Sequence, residues 1–89
     1  MKLYMVHCGF YDLDLCDGIY ESHVNLFVAA DRFESAKAKV REVPVFLKKR
    51  MHVDGMEEIQ AVGGARICME ADPSLDGQTL TISHRHRDL

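Results

Sequence analysis

Apolar and polar positions change their period twice along this chain, from alternating to helical and back, and each stretch predicts an element. Over KLYMVHCGF at the start, Leu3, Met5 and His7 fall on one side of an extended chain and Tyr4, Val6 and Cys8 on the other. Both sides are largely apolar, which predicts a central strand. HVNLFVAA, residues 23–30, repeats that character and predicts a second strand. Between them GFYDLDLCDGIYES carries two glycines and three aspartates and reads as a long connection, or as the loose arm of a hairpin.

A helical period follows. Asp31 stands as an N-cap with Glu34 three residues on, the spacing of a capping box. Phe33, Ala36, Val40 and Val43 recur at helical spacing while Lys37, Lys39 and Arg41 face water. Pro44 ends or kinks this helix, because proline lacks an N–H and clashes with the preceding turn; VFLKKR adds a short further turn. Alternation then returns: Ile59 and Ala61 before Gly63-Gly64, and Ala65, Ile67 and Met69 after it, predict a tight hairpin. DPSLDGQ is a turn-rich loop, and TLTISHRHR alternates as a half-buried final strand.

The pattern predicts one α+β domain over residues 1–89. It is an antiparallel-rich sheet of four to five strands with one main helix on one face, in the order β-β-α-β-β-β. One helix covers one face, yet the first two strands are apolar on both. Either the loop at 9–22 folds over the second face or another copy of the chain does, and a homodimer through the uncovered face is the expectation.

Composition narrows the class. At 89 residues, 47% hydrophobic and 28% charged, the chain is long enough for one small core and too apolar for disorder. A domain of this size buries only about 60–65% of its unfolded surface, so self-association, a metal or disulfides would assist it. The net charge of -3 gives no general attraction to nucleic acid, and Lys48-Lys49-Arg50 and Arg85/Arg87 read as solvated clusters. Cys8, Cys16 and Cys68 are odd in number and have no CxxC spacing, so buried, reduced thiols in a cytoplasmic protein are expected. No leader pattern and no span long enough for a bilayer is present in the sequence, and the expectation is a soluble protein.

The chemistry-bearing residues are few. His52 and Asp54 in MHVDG lie two apart, on one face of an extended strand at roughly 6.5–7 Å. With His23 they form a candidate ligand-binding set, able to hold a metal or to orient a histidine as a base. The plainer alternative makes His52 a packed strand start and Asp54 the cap of a turn before Gly55. Asp12, Asp14 and Asp17 fail an EF-hand count, since its fifth, sixth and twelfth positions would be Cys16, Asp17 and His23. His7 and Cys8 point to opposite faces and cannot pair. His84 and His86 share a strand face, as a chelate requires, but a solvated terminus explains them with less assumed.

MKLYMVHCG, ESHVNLFVAADRFESAKAKVRE and MHVDGMEEIQAVGG together resemble the bacterial domain-of-unknown-function family 1543, across roughly residues 1–70. That family carries a Leu-His-Asp-like stretch at its second strand and a Leu-His-Ile-Asp-like motif after its helix. The matching positions are His23 for the first and His52 with Asp54 for the second. Here the first motif reads Ser-His-Val, without the acidic residue. The family has no assigned activity, and its domain occurs once or twice per chain, which implies that domains pack in pairs.

Two functions follow. The expected one is a homo-oligomeric binding or protein-interaction module with no cofactor, no metal and no catalysis. The alternative is a small metal-dependent or acid–base enzyme using His23, His52 and Asp54, its catalytic residues otherwise unassigned.

Overall fold

The computed structural model describes residues 1–78 and residue 80. The expected final strand over 79–87, with His84 and His86, lies outside the described residues apart from Leu80. Strands β1 (Lys2–Tyr11) and β2 (Glu21–Ala30) form a long antiparallel pair. Helices α1 (Phe33–Val40) and α2 (Pro44–Lys49) follow, then β3 (His52–Ile59) and a short hairpin of β4 (Ala61–Val62) and β5 (Ala65–Arg66).

The fold is α+β. Among the described residues five strands divide into a three-stranded antiparallel sheet, ordered β2-β1-β3, and the separate β4-β5 hairpin. β1 is central, as its two apolar faces predict. Tyr4, Val6 and Cys8 point toward the helices and are buried with Val28, Ala30, Ala36, Val40, Phe46 and Met51. Removing side chains such as Val6 and Val40 from water stabilises the fold by roughly 1.5–3 kcal/mol each. Tyr4 meets Phe33 edge-on at 4.9 Å between ring centroids.

The helix begins one residue later than the sequence implies. Arg32, in extended conformation, is the N-cap; the Ser35 hydroxyl accepts from its N–H at 3.3 Å and donates to its carbonyl at 3.0 Å. Asp31 instead lies 3.4 Å from the N-terminal amine, so the Asp31–Glu34 capping box is replaced by one built on Ser35. Pro44 opens α2 at a position where no N–H is needed. Gly63 and Gly64, both at positive φ, make the tight turn of the hairpin as expected.

β2 starts at Glu21, two residues before its expected start, and β1 runs on to Tyr11. The connection between them is tied toward the helices, with Asp12 Oδ2 3.6 Å from Lys49 Nζ. Cys8 is buried, but Cys16 and Cys68 are exposed, which corrects the expectation of three buried thiols; all three are free. Among the described residues no helix is long and apolar enough to cross a membrane.

Candidate functional site: a histidine–carboxylate ring above Gly9

The sheet face away from the helices carries Glu21, His23 and Asn25 from β2, His7, Gly9 and Tyr11 from β1, and His52 and Asp54 from β3. Register brings the histidines together. His23 and His52 both pair with Gly9, one from each side. Adjacent strands lie about 4.8 Å apart, so two outer strands at one level are separated by roughly 10 Å, a span two inward-leaning imidazoles can close. Gly9 supplies the room beneath. A Cβ there would come within 2.6 Å of His52 Nε2 and 2.7 Å of Asp54 Oδ2, and would collide with Glu21 Oε1.

Four side chains, joined by four N–O contacts, close a ring over that glycine. Glu21 Oε1 lies 2.9 Å from His52 Nε2 and 3.0 Å from His23 Nε2. Asp54 lies opposite, its Oδ1 3.2 Å from His52 Nε2 and its Oδ2 3.1 Å from His23 Nε2. Glu21 precedes His23 by two residues and Asp54 follows His52 by two, so alternation keeps each pair on one face.

Asp54 does not cap a turn. β3 runs straight through Gly55, and between His7 and Cys8 its pairing slips: His7 pairs with Gly55 but Cys8 with Val53. Asp54 is the extra residue of a β-bulge, a feature that re-aims side chains beside sites. The slip also lets Val53 and Met56, three residues apart, both pack against the core.

The neighbours hold the ring in order. Tyr11 donates its hydroxyl to Glu21 Oε2 at 3.3 Å, leaving Oε1 aimed at the histidines. The hydrogen bond with His52, aided by the charge of His23 and the Tyr11 contact, holds the Glu21 carboxyl below the ordinary carboxylate value. Glu21's charge in turn pushes the Tyr11 phenol up. Cys8, on the opposite face, contributes no ligand; burial raises its thiol, and the charge of Asp54 adds to this.

His23, His52 and Asp54 are thus brought together, half-exposed on the open face. Sequence reasoning missed Glu21 because it began β2 at His23. Starting the strand at Glu21 makes the signal legible: Glu-x-His on one strand and His-x-Asp on another. The aspartates of the 12–17 loop stay out of the site, and Asp12 Oδ1 instead accepts from the Asp14 N–H at 3.0 Å.

Neither protein-family models, nor curated proteins, nor solved structures gave a match to this chain.

Proposed function

We propose that Glu21, His23, His52 and Asp54 hold one divalent transition-metal ion, and that the chain is a small metal-dependent domain whose ion acts as a Lewis acid on a bound molecule. The closed ring of four N–O contacts carries this reading. An imidazole has at most one proton on Nε2, yet each Nε2 meets two carboxylates. Conventional hydrogen bonds account for at most two of the four contacts, whereas a cation held among these side chains would satisfy their lone pairs without a proton. One donor atom each of Glu21, His52 and Asp54 lie within 4.8 Å of one another, and His23 Nε2 adjoins that set at 3.0 Å from Glu21 and 3.1 Å from Asp54.

Two imidazoles and two carboxylates suit zinc, iron, nickel or cobalt better than calcium or magnesium. The ring lies flush on a sheet, so positions pointing away from Gly9 stay open to water or substrate. An ion so held would polarise a bound oxygen or make bound water more acidic. His23 and His52 supply neutral nitrogen donors, and Glu21, oriented by Tyr11, supplies charge.

Metal analysis on protein purified without chelators, followed by zinc titration, tests the reading. One ion per chain is expected, with His52→Ala and Glu21→Gln binding at least about a hundredfold more weakly, since even outer-shell changes cost 10–100-fold. A wild-type chain that binds no zinc at stoichiometric concentration sinks the reading.

A homodimer through the same face is a second reading. It is favoured by Phe27, 38% exposed on the side without helices, beside half-buried Leu3, Met5 and Ile59. Sedimentation that stays monomeric across concentration excludes it, and a dimer dissociated by Phe27→Asp supports it. Kinship with family 1543 is likewise proposed, supported by the His23 and His52/Asp54 motifs alone.

A further inference from the structure

Beside the ring, the open face carries a recess of about 390 Å³ lined by Met5, His7, Asn25, Gly55, Met56 and Glu57. Its origin is the register slip. Gly55 sits opposite His7 and contributes no side chain, and a Cβ built there meets nothing within 4 Å. Ring and recess share a wall. His7 stacks on His23 with centroids 4.9 Å apart and planes 4° apart. One ring nitrogen each of His7 and His23 and one carboxylate oxygen of Asp54 lie within 4.8 Å of one another, so the recess adjoins the ring through His7.

The far side of His7 is also fixed. Its Nδ1 lies 2.8 Å from Asn25 Oδ1. An amide oxygen only accepts, so the His7 tautomer that makes this bond donates from Nδ1 and leaves Nε2 as an acceptor.

We infer that this recess is the ligand subsite of the metal centre, and that it receives a small molecule, uncharged in solution, with an oxygen for the ion and a hydrogen-bond donor for His7. The inference rests on the metal reading above. The polar wall selects the ligand class. His7 Nε2 and the Glu57 carboxylate both accept, so the ligand donates, and the charge of Glu57 disfavours anions. Met5 adds apolar surface. The size sits at the lower end of the range for small-ligand sites, about 300–1,000 Å³. Amides and hydroxamic acids have this chemistry: a carbonyl oxygen with an N–H one bond away from its carbon.

Acetohydroxamic acid is the probe, added to cobalt-loaded protein and followed by the visible bands of the ion. Gly55→Leu plugs the recess, and Gly55→Val is a smaller plug that suits strand backbone; His7→Phe keeps the stacked ring and removes the acceptor. Cobalt affinity within about twofold of wild type, with hydroxamate binding weakened at least about tenfold in all three variants, is the expected result. Unchanged hydroxamate binding in the Gly55 variants overturns the subsite and leaves the metal centre standing. Failure of the wild-type chain to bind cobalt overturns the centre and the subsite together.

Discussion

His23 and His52 stand on strands that never touch, 29 positions apart in sequence, and face each other across Gly9. Everything chemical on this face depends on that relationship, and it depends in turn on the absence of a side chain from the middle strand.

Gly9→Ala is therefore expected to separate site from fold. The added methyl meets only the ends of surface side chains, and the backbone there needs no positive φ. Folding stability should change by less than about 1 kcal/mol, because loss of glycine entropy in the unfolded chain offsets the displacement. Zinc affinity should fall at least about tenfold. Urea unfolding and zinc titration of the same sample check both halves.

The contact between Tyr11 and Glu21 sets a pH signature. Glu21's charge raises the Tyr11 phenol, so the neutral phenol is the form the folded state favours. That contribution is present below the ordinary phenol value near 10 and is lost as pH rises through the raised folded value. Glu21→Gln removes the charge, and phenolate absorbance for Tyr11 should then develop at lower pH. An unchanged titration would show that the two groups are not in contact.

Thiol reactivity should divide the cysteines. Cys8 is buried and its thiol is pushed up, so little thiolate forms near pH 8, while Cys16 and Cys68 are exposed. Iodoacetamide followed by peptide mass mapping should label Cys16 and Cys68 and leave Cys8 unmodified until urea is added.

The helix start gives a fourth expectation. Ser35→Ala removes both contacts to the Arg32 backbone and should cost about 0.5–1 kcal/mol. Asp31→Ala removes only an exposed pair with the N-terminal amine and should stay within about 0.5 kcal/mol. Equal losses in thermal unfolding would restore Asp31 as the cap.

Much of the fold was legible because it rests on local pattern. The two apolar faces of KLYMVHCGF marked β1 as central, and Gly63-Gly64 marked the hairpin turn. Asp31 misled because an acidic residue at a helix entrance looks like a cap whichever neighbour takes the capping geometry. Half the site was also legible, in His52, Asp54 and His23. Glu21 was hidden by a strand boundary drawn at His23, just before the apolar run from Val24, since an exposed strand end has no hydrophobic signal. The register that pairs both histidines with Gly9, and the slip at Asp54, are long-range facts. No window along the chain contains both partners of such a pairing.

The slip has one more consequence. From Leu3 to His7 the paired positions of β1 and β3 keep one constant offset, and from Cys8 onward they keep another that differs by a single residue. Take Asp54 out, and the two offsets become one: every other pairing survives and the ladder closes without a fault. A chain lacking residue 54 should fold as this one does, with the same core, and be inert toward zinc. The carboxylate is thus an insertion that the sheet accommodates rather than a part it was built around, so a single codon can add or erase the site while the architecture stands.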